Sequence, residues 1–312
     1  MPDGSARLHP RTARLRPRTA LAALAAMSLL GGAVLTGCDS GPGETTKGAA
    51  AGEARRPAPA PPVWNRSPDS VAAVGDSITR GFDACSVLAD CPEASWATGT
   101  DREVRSLAVR LLGASGAQAH SWNHARTGAR IAELPEQIAR AAEEGPALVT
   151  VMIGANDACR DSVRAMTPVA DFRRSFETSM RALRKKAPKA QVYVSSVPDL
   201  KRLWSTGRGN PLGKQIWKLG ICKSMLADAD DVGPAAVARR AAVRDRVVAY
   251  NRVLHEVCAK DARCRDDGGA VFDYRFTGKQ LSQWDWFHPG RDGQARLAEI
   301  AYRTVTATRP PA

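Results

Sequence analysis

The chain has 312 residues, 44% hydrophobic and 25% charged, and its 45 Lys and Arg against 32 Asp and Glu give a formal net charge of +13. So basic a chain raises the question of a nucleic-acid partner, but the basic residues are scattered, and aromatic residues, 5% of the chain, do not alternate with them. Nucleic-acid binding is therefore excluded, and the charge reads as a solvated surface that anionic lipid or cell wall can attract.

In chain order, residues 1–37 are an export leader. Arg7, Arg11, Arg14, Arg16 and Arg18 form a basic region, and residues 20–34 are an uncharged stretch of small and apolar side chains. That stretch is too short and too poor in large side chains for a permanent span. It ends in Leu35-Thr36-Gly37-Cys38, which resembles a bacterial lipoprotein processing box. The resemblance implies cleavage before Cys38 and acylation of its thiol, giving peripheral membrane association without a transmembrane helix. Residues 38–65, with Pro57-Ala58-Pro59-Ala60-Pro61-Pro62, have nothing to build a packed face and read as a spacer.

Residues 66–308 are enough for one well-buried domain. Their apolar runs alternate between strand and helix periodicity. Strands are predicted at 70–74, 118–122, 147–153, 191–197 and 270–274. Helices are predicted at 102–112, 129–142, 169–186, 235–258 and 294–304. Residues 201–232 are less regular and read as an insertion near the site, either a substrate lid or a long surface loop pinned by a disulfide. The alternation fits a three-layer α/β/α sandwich with a mostly parallel sheet. In such folds the loops at the strand C-termini hold the site.

Six cysteines remain after Cys38, an even number in an exported chain. Close spacing favours Cys85–Cys91 and Cys258–Cys264 as local closures, leaving Cys159–Cys222 as the long-range link. No cysteine pair has metal-knuckle spacing, and no histidine has a ligand-like spacing to them.

Two short islands more than 200 residues apart carry reactive groups. Gly75-Asp76-Ser77 follows the first strand, and Asp285-Trp286-Phe287-His288 lies near the C-terminus. A serine hydroxyl needs a base to become a nucleophile. An imidazole can take its proton and return it, and a carboxylate three residues earlier can orient that imidazole. Ser77, His288 and Asp285 are thus candidates for nucleophile, base and orienting carboxylate. Of the other histidines, His9 lies in the leader, His120 and His255 fall in predicted regular elements, and His124 could line the site. Asp273 competes with Asp285, but its spacing to His288 matches no known arrangement. No Gly-x-Gly-x-x-Gly follows the first strand, which sets aside dinucleotide binding.

With Asn123-His124-Ala125-Arg126-Thr127-Gly128 and Gly154-Ala155-Asn156-Asp157, four islands in order resemble the SGNH hydrolases, the GDSL-like esterase/lipase family, over about residues 70–305. The resemblance implies a flavodoxin-like sheet and an acyl-enzyme mechanism that requires no cofactor or metal. It also implies an oxyanion hole from the backbone N–H groups of Ser77 and Gly128 and the amide of Asn156. Asp76 and Asn123 would brace the turns. Ile78 stands where the family's nominal motif has Leu and fills the same apolar position. Export and three disulfides resemble secreted actinobacterial lipase-like members, and Ala155-Asn156-Asp157-Ala158-Cys159 resembles the phospholipase B branch. The expected substrate is a lipid or phospholipid ester, with a carbohydrate or cell-wall O-acetyl ester as the alternative and a non-catalytic surface-binding protein as the remote one. A monomer is expected.

Overall fold

The computed structural model describes residues 63–311. The leader, Cys38 and all but the last three residues of the spacer lie outside the described residues. Five strands, β1 (Val71–Gly75), β2 (Ser121–Asn123), β3 (Leu148–Met152), β4 (Gln191–Val194) and β5 (Cys264–Asp266), form one sheet in the order β2-β1-β3-β4-β5. All four pairings are parallel. This is the flavodoxin-like order. β1, β3 and β4 are buried along their whole length, which is why their sequences run apolar without alternation.

The longer helices are α1 (Leu107–His120), α2 (Leu134–Glu143), α4 (Val169–Lys186), α8 (Pro234–Cys258) and α10 (Arg291–Thr306). α2, α4 and α8 pack side by side on one face of the sheet, while α1 and α10 pack together on the other. The remaining helices are short: α3 (Ala155–Ala158), α5 (Leu200–Gly207), α6 (Pro211–Trp217), α7 (Lys223–Leu226) and α9 (Ala270–Asp273). Among the described residues no helix is long and apolar enough to cross a membrane.

Three expectations need correction. Residues 270–274 are not a strand. Gly268 and Gly269 turn the chain at φ 61° and 83°, and the Asp267 carboxylate accepts the Gly269 and Val271 amides, starting α9 instead. The fifth strand is Cys264–Asp266, joined to α8 by the Cys258–Cys264 disulfide. The first helix begins five residues late, because Asp101 folds residues 101–104 into a turn by accepting the Glu103 and Val104 amides. Ser106 then caps the helix through Val109 N. That helix continues past Gly113 to His120 and shortens the predicted 118–122 strand to Ser121–Asn123. Residues 201–232 are largely helical. Asp199 caps α5 and Asn210 caps α6, with Pro211 in the first turn, where its missing N–H does no harm.

The chain joins the domain beside the start of β4. The Gln191 side chain bonds both the N–H and the C=O of Asn65 (2.6 and 2.9 Å), Trp64 Nε1 donates to Val305 O (2.9 Å), and the Arg265 guanidinium lies over the Trp64 ring.

Candidate active site

The strand order reverses direction between β1 and β3, and such a switch point opens a crevice at the carboxyl ends of the two strands. Ser77 lies two residues beyond β1 and Asn156 four beyond β3. Gly75 makes the turn possible: its φ is +152°, and a Cβ there would overlap the Met152 carbonyl oxygen. The Gln137 amide holds the same glycine, accepting from Gly75 N (2.7 Å) and donating to Gly75 O (3.0 Å). Asp76 is buried and accepts the Ile78 amide at 3.0 Å. Burial pushes its carboxyl up to about 7, against the Ile78 N–H and the His288 charge.

Ser77 Oγ lies 3.1 Å from His288 Nε2, and His288 Nδ1 donates to Asp285 Oδ2 at 2.5 Å. That second bond places the ring proton on Nδ1 and leaves the Nε2 lone pair facing Ser77. Asp285 Oδ1 accepts the Phe287 and His288 amides, both at 3.0 Å. One carboxylate thus orients the ring and folds the turn that carries it. Burial alone would lower the His288 pKa, but the charge and hydrogen bond of Asp285 raise it above the ordinary imidazole value. Burial alone would raise the Asp285 pKa, but the charge and hydrogen bond of His288, with the two amides, hold it below the usual carboxylate value.

The second and third islands meet beside Ser77. Asn123 Nδ2 donates to Thr79 O (3.0 Å) and Ser95 Oγ (3.3 Å), while its Oδ1 accepts Ala125 N (3.1 Å). It thereby stitches the Ser77 turn to the loop carrying Gly128. Gly128 has φ +80° and open space where a Cβ would stand. Asn156 Nδ2 donates to Ala129 O at 3.1 Å. Asp157, which no local pattern marks for this role, joins these two loops by accepting from Ile131 N (2.9 Å) and Thr167 Oγ1 (2.7 Å).

A cavity of 240 Å³ opens over these groups. Its polar lining includes Ser77, Gly128, Asn156 and His288, and its apolar wall includes Ile78, Phe82, Leu200, Leu203, Ile221 and Phe287. The insertion supplies part of that wall, and the Cys159–Cys222 disulfide ties it to the end of α3. Trp217 Nε1 donates to Asp285 O at 2.6 Å. Gly207 and Gly213 face Trp286 so closely that a Cβ on either would collide with it. The helices of residues 200–217 are therefore packed onto the loop that carries His288. Cys85 and Cys91 are also joined. A larger cavity of 540 Å³, lined by Lys214, Asp228 and Asp230, holds no nucleophile–base pair.

The remaining candidates lie elsewhere. His124 pairs with Glu144 at 3.4 Å and does not line the cavity. His255 pairs with Asp266 at 3.2 Å. Asp273 sits on α9, its carbonyl accepting Arg202 Nη1 at 2.8 Å. Among the described residues two clusters bring three potential metal ligands together. In Cys85–Cys91–Glu93 the thiols are spent in a disulfide, and in Asp83–Asp285–His288 the ring nitrogen nearest the carboxylates is engaged by Asp285. We assign no ion to either. Gln137, Trp217 and Asp83 left no signal in the sequence, because each acts across more than 60 positions.

Comparison with known proteins agrees with this construction. Residues 71–301 match the GDSL-like Lipase/Acylhydrolase family, and the chain belongs to that family. It is an ester hydrolase of the GDSL/SGNH type. Among solved structures it is similar to an extracellular lipase from Streptomyces rimosus, with 19% identity over 76% of this chain and 99% of that one and a TM-score of 0.44. It is also similar to phospholipase A1 from Streptomyces albidoflavus NA297 (18% identity, 77% and 100% covered, TM-score 0.42). A family 3 carbohydrate esterase from Clostridium thermocellum is a third such structure (14%, 75% and 93%, TM-score 0.44). Comparison with curated proteins returned no match.

Proposed function

We propose that the protein is an exported serine esterase that hydrolyses lipid or phospholipid acyl esters through an acyl-enzyme on Ser77. The observation that carries the reading is the continuous chain from Asp285 through His288 to Ser77 Oγ, opening into a cavity with an apolar wall. In the first half-reaction Ser77 Oγ attacks the ester carbonyl carbon while its proton passes to His288 Nε2. The charge on the carbonyl oxygen is met by the N–H groups of Ser77 and Gly128 and by the Asn156 amide, each such donor being worth about 3–4 kcal/mol at the transition state. The carbon–oxygen bond to the leaving group breaks, and His288 returns the proton to the departing alcohol. In the second half-reaction His288 takes a proton from water, hydroxide adds to the acyl carbon, and Ser77 leaves with that proton restored. Asp285 keeps the tautomer and stabilises the imidazolium throughout.

The lipid preference rests on Ile78, Phe82, Leu200, Leu203 and Ile221, which offer an acyl chain a surface that water solvates poorly. A second reading, hydrolysis of O-acetyl groups on glycans or cell wall, is favoured by the cavity's 240 Å³, below the range of about 300–1,000 Å³ usual for ligand sites. Placement outside the cytoplasm is supported by the leader and the six paired cysteines, and acylation at Cys38 by the lipoprotein-like box alone.

A fluorophosphonate probe tests the mechanism. Peptide mapping is expected to find the adduct on Ser77 alone, and an unlabelled Ser77 in folded protein would overturn the reading. A panel of esters from acetyl to long acyl, run beside phospholipids and acetylated sugars, separates the two substrate classes. Radiolabelled fatty acid incorporated at Cys38 in a host with a lipoprotein pathway, and lost in Cys38→Ala, tests the anchor.

A further inference from the structure

Asp83 has no part in the mechanism above, yet it lies against the groups that perform it. It follows the Ser77 turn at φ 59°, and its backbone is bound on both sides: its N–H donates to Ala89 O at 2.9 Å, and its C=O accepts Ser282 Oγ at 2.6 Å. Ser282 opens the loop that carries His288, so Asp83 is tied to the base by a contact spanning 199 positions. The side chain is buried. Its Oδ1 accepts the Leu88 amide, while Oδ2, also buried, has no hydrogen-bond partner. A carboxylate oxygen of Asp83, one of Asp285 and a ring nitrogen of His288 all lie within 4.8 Å of one another. A bare charge on the unpartnered oxygen would be unsolvated beside a second carboxylate. A proton on it would instead give a donor facing an acceptor.

Resting on the reading of His288 as the base, we propose that Asp83 is a positioning residue that shares a proton with the Asp285–His288 pair and so sets the pH at which the imidazole is free to accept from Ser77. With one proton between them, two arrangements exchange without gain or loss. When the proton rests on Asp83, its O–H donates to Asp285 and His288 is neutral. When it rests on His288, both carboxylates are charged and the base is blocked. Burial and the Asp285 charge push the Asp83 carboxyl up to about 6, against the His288 charge and the Leu88 N–H. That places its ionisation close to that of an imidazole.

Other charges around the site are accounted for. Asp285 and His288 face Asp83 from the loop of residues 282–290, and Asp76 acts on His288 from the Ser77 turn. Arg80 is paired with Asp90 at 3.0 Å on Asp83's own loop, and Arg291 with Asp101 at 3.3 Å.

The test is the pH profile of kcat/KM on a soluble ester for Asp83→Asn and Asp83→Ser, whose folding is checked by circular dichroism. Both remove the carboxyl, so the acid limb is expected to move to lower pH by about one unit, the size of effect a charge at this range exerts. An acid limb that stays in place in a folded variant, whatever the plateau rate, overturns the proposal, since a purely structural role would change the rate and leave the limb. The proton sharing is also read without touching Asp83. In protein carrying only Ser77→Ala, the His288 ring resonances are expected to titrate in two steps, and a single step overturns it. Failure of this inference is distinct from failure of the hydrolase reading, which would appear as turnover surviving in Ser77→Ala.

Discussion

Ser77 and Asn156 leave the sheet within four residues of strands buried from end to end, whereas Asp285 and His288 stand on a loop with no strand beneath it. The first pair is placed by sheet register: Gly75 lies beside Met152 across the β1–β3 pairing, and each turn starts from a backbone that cannot shift without breaking the ladder. The second pair sits on a loop closed by a single isolated bridge and by Ser282 N donating to His288 O at 2.8 Å, and the rest of its support comes from side chains. Asp285 accepts two amides of its own turn, Ser282 Oγ reaches the Asp83 carbonyl, Trp217 holds the Asp285 carbonyl, and the glycines of the insertion press on Trp286. A nucleophile and its base can therefore be built to similar accuracy by two kinds of support. They differ in what disturbs them, since a ladder is a shared backbone property while a packed loop depends on individual residues.

The largest expected effect removes a reacting group from either half. Ser77→Ala or His288→Ala should lower kcat by about a million-fold, as for residues that act as one unit, and Ser77→Ala should leave the melting temperature little changed. Steady-state hydrolysis of a nitrophenyl ester beside thermal unfolding reads both. Next comes Asn156→Ala on the sheet-borne side. It should cost about 100- to 1,000-fold in kcat with little change in KM, because the lost donor acts on charge that develops only in the transition state.

Gly207→Ala then tests the loop-borne side from outside the cavity lining. Its methyl group would overlap the Trp286 carbonyl, and displacing His288 by about 1 Å should lower kcat about 100-fold while the sheet stays intact. If activity is unchanged, the insertion does not hold the base. Trp217→Phe is milder, removing the hydrogen bond to Asp285 O but keeping a ring, and should destabilise the protein by about 1 kcal/mol in denaturant titration.

The smallest expected effect is in pH. His288 titrates above its ordinary value of 6.5 because Asp285 favours its charged form. The imidazole is then blocked until the pH passes that raised value, and the acid limb of kcat/KM should have its midpoint above 6.5. The sign for stability is the opposite: His288's contribution is full below the unfolded histidine value and is lost as pH rises through the folded one, so activity is gained over the range in which that contribution is lost.

The same contrast explains what could be read from the residues alone. The buried strands at 71–75 and 148–152 write their position as unbroken apolar runs, and the groups that follow them are named by short islands. The Asp285–His288 turn is legible too, because its carboxylate folds its own neighbours. What supports the turn is not. Trp217 meets Asp285 across 68 positions and Ser282 meets Asp83 across 199, and neither contact leaves a local pattern. The fifth strand is hidden for a related reason. Cys264–Asp266 is an edge strand with one buried residue in three, so it carries no apolar run, while the more apolar residues 270–274 lie beyond a double-glycine turn and a capping aspartate that make them helical. The insertion lacks a periodic signal because its helices are short and depend on caps at Asp199 and Asn210 more than on periodicity.

The anchoring of Trp64 and Asn65 beside the first residue of β4 fixes where the chain enters the domain. Ser77 and Asn156 lie past the other ends of parallel strands, so the polypeptide joins the domain at one pole and the cavity opens at the other. A label or immobilising group placed beside Trp64 would therefore leave the mouth of the cavity free.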